Sequence, residues 1–143
     1  MTNNTESFET SKTERPFIWL KNDLDFELVY KNGRTIISND KKLKARFLVD
    51  SESKNKILKL GLSVISKKGN SVWRNRIKRI LRESLIQNEE FLLGIANQTK
   101  TSLLIIFSPY SINQKGLKKI FLSDIKPPVL DLLNKIKKIT AKT

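Results

Sequence analysis

The sequence contains no cysteine and no histidine. Disulfides, thiolate chemistry, zinc sites of the Cys/His type and imidazole acid–base catalysis are therefore all excluded. The absence of cysteine also fits a reducing compartment. No apolar stretch approaches the roughly 18 residues that a membrane-spanning helix needs. The N-terminal residues are polar and include Glu6, Glu9 and Glu14, unlike a signal or transit peptide, so a cytoplasmic location is expected. Acids are scarce: 14 Asp and Glu stand against 28 Lys and Arg, for a net charge of +14. Such a field captures polyanions. The carboxylates are scattered and form no paired acid–base site; Asp124 and Asp131, seven apart, read as surface residues. There is no GxxxxGK[ST] loop and no GxGxxG, and Gly61 and Gly69 are better explained by close strand packing and a turn. Catalysis by the chain's own side chains is not expected.

What the chain does have is concentrated in Gly69 to Ser84, GNSVWRNRIKRILRES. Arg74, Arg76, Lys78, Arg79 and Arg82 place five positive charges in nine residues, with no acid until Glu83. At 100° per residue, Trp73, Ile77, Ile80, Leu81, Ser84 and Leu85 share one stripe. Asn75, Lys78, Arg79 and Arg82 cluster opposite, and Arg74 and Arg76 flank the stripe. This is an amphipathic helix with a core face and a basic face. Arginine forks match phosphate oxygens bidentately, and asparagine can donate and accept at a sugar or base edge. The bland alternative is a solvated basic face, but a run this dense and acid-free points to a nucleic acid.

Elsewhere, residues 1–16 read as a disordered polar tail and 17–140 as one domain. Asn22 or Asp23 caps a first helix that ends near Asn32, with Gly33 as its stop. Leu24 and Leu28, with Phe17 or Leu20, are expected to face a core. Phe26 and Tyr30, four apart, share one face; rings there either pack inward or stack on unpaired bases. Arg34 to Ser38 reads as a short strand and residues 38–42 as a turn. Lys42 to Asp50 alternates, with Leu43, Ala45, Phe47 and Val49 on one face and Lys42, Lys44, Arg46 and Leu48 on the other. Ile57 to Ser66 alternates too, with Leu58, Leu60, Leu62 and Val64 inward and Lys59, Gly61 and Ser63 outward. Two such strands joined by a polar loop at 51–56 predict an antiparallel pair. Lys42, Lys44, Arg46 and Lys59 would make a basic sheet surface.

Residues 66–70 form a basic turn, with Asn70 or Ser71 capping the basic helix, which ends near Gln87 to Glu90. After a linker, Ser102 to Phe107 is apolar throughout and predicts a strand covered on both faces. A short helix is possible near Lys115 to Leu122. Pro127 and Pro128 suit the start of a last helix that runs to about Ile139, with Val129, Leu130, Leu132, Leu133 and Ile136 toward the core. The order α-β-β-β-α-β-α predicts a sheet with helices and a crossover connection.

The run LGLSVISKKGNSVWRNRIKRILRES resembles the bacterial ribonuclease P protein component. The family's Gly-x-Ser-Val strand, Ser-Lys-Lys turn, Gly-Asn-x-Val and Arg-Asn-Arg-x-Lys-Arg helix appear as Gly61–Val64, Ser66–Lys68, Gly69–Val72 and Arg74–Arg79. Asp25 to Arg34 is similar to the family's first helix. Ile65 stands where the family has the serine of its turn, and Lys68 where it has an apolar residue. The resemblance implies an α+β sandwich around a four-stranded sheet, with a left-handed β-α-β crossover against the general rule. It implies a protein that assists a large catalytic RNA in cutting the 5′ leader from precursor tRNA, one protein per RNA, with Mg²⁺ held mainly by the RNA. Lys67, Lys68, Arg74, Asn75, Arg76, Lys78, Arg79 and Arg82 would contact the catalytic RNA. Phe26, Tyr30, Lys42, Lys44, Arg46, Phe47 and Lys59 would bind the single-stranded leader. The alternative is a ribosomal or other structural RNA-binding protein with no part in cleavage.

Overall fold

A computed structural model describes residues 15–52 and 56–141. Most of the expected tail, and the middle of the 51–56 loop, lie outside the described residues. The sheet has five strands: β1 (Ile18–Trp19), β2 (Arg34–Ile37), β3 (Leu43–Asp50), β4 (Leu58–Leu62) and β5 (Ser102–Pro109). The helices are α1 (Asp23–Asn32), α2 (Ser71–Gln87), α3 (Glu89–Gln98) and α4 (Leu122–Thr140). Spatial order in the sheet is β1-β4-β5-β3-β2.

This order corrects the expected pairing of β3 with β4. The two do run in opposite directions, but β5 lies between them, antiparallel to β3 and parallel to β4. The reason is composition. Leu103 through Phe107 are all buried, so only a central position, covered above and below, satisfies that strand. The β4-to-β5 link is the expected parallel crossover and contains both α2 and α3. The fifth strand is the two-residue β1, too short for any periodicity. It pairs parallel to β4 through Ile18 opposite Lys59 and Trp19 opposite Leu60.

One face of the sheet carries Leu43, Ala45, Phe47, Leu58, Leu60, Leu103, Ile105 and Phe107 under α2, α3 and α4. The other carries Leu104 and Ile106, which pack with Leu20, Val29, Phe26 and Leu48 under α1. On α1 the buried residue is Val29, whereas Leu24 is 71 % exposed and Leu28 is also on the surface, contrary to expectation. A ten-residue helix resting on one sheet face buries only a narrow stripe, and here that stripe runs through Phe26 and Val29. Asn22 caps α1, its Oδ1 accepting from the Leu24 N–H at 2.8 Å. Gly33 ends it for want of room: a Cβ there would lie 2.6 Å from the Val29 carbonyl oxygen and 2.7 Å from that of Phe47.

Asn70 caps α2, its Oδ1 accepting from the Trp73 N–H at 2.9 Å. The expected stripe is buried at Trp73, Ile77, Leu81, Ser84 and Leu85. The expected linker after α2 is in fact α3, whose Leu92 and Ile95 enter the core. Gly94 weakens its helical signal in the sequence. The expected helix at 115–122 is a turn instead, because the Asn113 side chain accepts from the Gly116 N–H at 2.9 Å and competes with helical bonding. The last helix begins at Leu122, not at the prolines, and Pro127 and Pro128 lie inside it. Asp124 holds its start by accepting from the Phe121 N–H at 2.8 Å. Of its expected core residues only Leu130 is exposed.

Candidate nucleic-acid interface

The basic helix α2 presents Asn75, Arg76, Arg79 and Arg82 to solvent, while Arg74 and Lys78 are half-buried. Two of its arginines are braced by backbone. Arg74 Nε donates to the Gly69 carbonyl at 3.0 Å and Arg76 Nε to the Ile120 carbonyl at 3.1 Å. Each bond uses the Nε–H, one of the five N–H donors of the guanidinium. A preorganised fork loses less entropy when it meets a phosphate. Trp73 is 3 % exposed and its Nε1 donates to the Leu117 carbonyl at 2.9 Å, so it packs rather than stacks.

The residues expected to bind a leader divide in the structure. Phe26 lines a cavity of about 220 Å³ together with Trp19, Lys21, Gly61, Lys78 and Arg82. Gly61 makes that cavity possible, because a Cβ there would lie 2.8 Å from Leu20 Cδ1 and 3.0 Å from Phe26 Cζ. Lys78 and Arg82, one turn apart on α2, thus wall the same cavity as the α1 ring. The family resemblance assigns the two sets to separate RNA partners; the structure makes them neighbours. Trp19 and Lys21 were missed. Their signal was an aromatic and a lysine just before a helix cap, too ordinary to single out. Tyr30, at 46 % exposure, remains open to solvent.

Phe47 does not belong to this set. It is 2 % exposed and sits on the opposite sheet face, in the core beneath the other helices. The Arg34 guanidinium lies 5.7 Å from its ring centroid. Alternation along β3 requires this outcome, since Phe47 cannot share a face with Lys44 and Arg46.

Arg46 and Lys59 lie on the α1 face, and both hold α1 in place. Arg46 Nε donates to the Val29 and Tyr30 carbonyls at 3.1 Å, Nη2 to the Tyr30 carbonyl at 2.7 Å, and Nη1 to Thr35 Oγ1 at 2.7 Å. A guanidinium at a helix C-terminus meets unpaired carbonyls and the negative end of the dipole. At the other end of α1, Lys59 Nζ pairs with Asp25 at 3.0 Å. Arg46→Met is expected to lower stability by about 1–2 kcal/mol, from lost charge-assisted hydrogen bonds at a partly exposed site. Hydrogen exchange should show faster opening of α1 with the α2 amides unaffected; uniform protection would mean that Arg46 does not hold the helix.

Lys44 lies on β3 and Lys42 just before it, both half-buried. Lys44 lies close enough to Lys68 to help disfavour its charge. The Lys68 ammonium donates to the Tyr110 carbonyl, and burial first, then Lys44, hold its pKa below the ordinary lysine value. Lys67 is exposed on the 3₁₀ turn Ser66–Lys68. Among the described residues, no three acidic, histidine or cysteine side chains come together as a metal site.

The family model for ribonuclease P matches residues 17–119. A ribonuclease P protein component from Alkaliphilus metalliredigens is 32 % identical over 121 residues, covering 85 % of this chain and 95 % of its own length. One from Macrococcus caseolyticus is 37 % identical over 76 residues, covering 52 % of this chain but 61 % of its own length. In structure, a mutant Staphylococcus aureus RNase P protein superposes with a TM-score of 0.61 at 22 % identity, covering 95 % of this chain and 98 % of that one. The RNase P protein from Thermotoga maritima gives 0.61 at 21 % identity, covering 85 % and 96 %.

Proposed function

The chain belongs to the bacterial ribonuclease P protein family and is a protein component of that enzyme; we propose that it assists a catalytic RNA in endonucleolytic removal of the 5′ leader from precursor tRNA. In this reading residues 17–140 form one RNA-binding domain, acting in the cytoplasm with one protein per RNA. The observation that carries it is the basic helix α2, its arginine forks braced by backbone, placed beside a cavity walled by Phe26, Lys78 and Arg82. Arg74, Asn75, Arg76 and Arg79 suit the catalytic RNA. Phe26 and Tyr30 suit the leader, where varied sequence favours stacking and charge over a base-edge code. Lys78 and Arg82 stand where the two RNAs meet.

In this reading Mg²⁺ is bound mainly by the RNA. The protein's own part is electrostatic: it offsets phosphate repulsion between two RNAs and lowers the Mg²⁺ they require.

The test is single-turnover cleavage of a 5′-extended precursor tRNA at low Mg²⁺, with RNA alone, protein alone and both. Stimulation only with both is expected. Tight RNA binding without stimulation would favour a structural RNA-binding protein, and cleavage by protein alone would refute the division of labour. A second result is expected from Tyr30→Ala. At an exposed position it should change stability by no more than about 0.5 kcal/mol. It should weaken binding of precursor tRNA by roughly 1–3 kcal/mol, the range for one base–aromatic stack, and leave mature tRNA unaffected. Equal effects on both would remove Tyr30 from the leader path.

A further inference from the structure

Near the N-terminus of α2 lies a second basic surface. The 3₁₀ turn and the loop at 113–118 face each other across a groove of about 570 Å³, lined by Lys67, Lys68, Lys115 and Lys118 with Asn113 and Gln114. Its walls are tied together. The Gln114 N–H donates to the Lys68 carbonyl at 2.7 Å, and Gln114 Oε1 accepts from the Asn70 N–H at 2.8 Å. The loops approach so closely that a Cβ on Gly69 would lie 2.7 Å from Trp73 Cε3 and 2.9 Å from Gln114 Cβ.

The charge in this groove is uncompensated. Lys67, Lys115 and Lys118 are exposed and pair with no acid among the described residues. The sequence carries no acid at all from Phe91 to Ser123. Lys68 is held among them with its amine against the Tyr110 carbonyl and with Lys44 nearby. Ammonium groups gathered without counter-charge repel one another, and a bound polyanion relieves that repulsion.

We propose that this groove seats a stretch of RNA phosphate backbone, so that the RNA interface turns from the basic face of α2 around its N-terminus onto the 113–118 loop. This rests on the RNA-binding reading above and extends it beyond α2 and the Lys67–Lys68 turn to the 113–118 loop. The lining favours a phosphodiester strand over a protein partner. It consists of lysine, amide and glycine, without the apolar or aromatic anchor that a protein interface centres on. Flexible lysine stems also suit phosphates met as point charges, which fix register without reading bases.

The experiment is a salt titration of binding to the catalytic RNA, with full-length wild type, Lys115→Ala/Lys118→Ala, and Lys126→Ala/Lys138→Ala as a control. The control removes the same charge from exposed positions on α4. For the groove pair, the slope of log affinity against log salt should fall by about 1.5, and affinity at 0.1 M salt by roughly tenfold or more, as expected for two lost phosphate contacts. The α4 pair should change the slope much less, and thermal unfolding should confirm that both variants fold. Equal losses from both pairs, or none from the groove pair, would overturn the groove. Weakening by Arg74→Ala/Arg76→Ala in the same assay would then leave the RNA reading intact. Wild type that binds structured RNA without salt dependence would overturn both.

Discussion

Phe47→Ala should cost roughly 3–5 kcal/mol of stability, the usual range for truncating a buried phenylalanine. That is a large share of the 5–15 kcal/mol that holds a typical domain together. Phe47 lies on β3 with Arg34 opposite it on one side and Ile105 on the other, within the core beneath α2 and α4. Removing its ring leaves a cavity in the middle of the sheet's packed face, where strands bonded on both sides cannot close in. Urea unfolding should show the loss directly. Under conditions where the variant remains folded, its affinity for a single-stranded leader should match wild type. A loss below about 1 kcal/mol, outside the range for a buried ring, together with weakened leader binding would return Phe47 to the RNA surface.

Arg74→Ala with Arg76→Ala should weaken assembly with the catalytic RNA by about 2–4 kcal/mol, less than the plain sum of two charge-assisted hydrogen bonds of roughly 1.5–3 kcal/mol each because neighbouring contacts are not additive. Both side chains lie on the flanks of the helix, where each spends one N–H on a loop carbonyl, Gly69 or Ile120. The mutation therefore also releases the turn before α2 and the end of the loop after β5. A double mutant that unfolds at the wild-type temperature yet binds RNA fully would remove α2 from the interface. The pair of Arg74→Lys and Arg76→Lys separates charge from geometry. If the braced fork matters, lysine should recover only part of the lost affinity, because a point charge cannot reproduce bidentate contacts.

The basic helix was legible because two signals coincide in it: a buried stripe at helical spacing and an acid-free cationic remainder. Its cap was legible for the same kind of reason, an asparagine placed just ahead of the periodic run. The all-apolar β5 announced cover on both faces, and that property already implied a central strand. The expected β3–β4 pair follows adjacency in sequence, whereas β5, with the greater need for burial, takes the place between the two. On α1, Leu24 and Leu28 are as apolar as Val29, and nothing in one short helix says which stripe meets the sheet. Arg46 and Lys59 showed charge and orientation, but not that each already had a partner on α1. Such commitments arise between residues distant in the chain, and local pattern does not contain them. Phe47 is the opposite case: alternation placed it inward with Leu43 and Ala45, and family resemblance placed it outward. The pleat of the strand decides between them.

The central position of β5 also governs when this protein can fold. Its neighbours β3 and β4 are made first, yet neither pairs with the other, and both must wait for residues 102–109 to fill the gap. A nascent chain that has reached only Gln98 holds β3 and β4 each with one open edge, and α2 and α3 without the central strand that they cover. Such edges invite pairing with other chains. Joining them through a late strand also demands long-range closure, which slows folding. Synthesis must therefore pass Pro109, about three-quarters of the sequence, before β5 can join its neighbours, and a message truncated before that point would yield an aggregation-prone chain rather than a smaller RNA-binding protein.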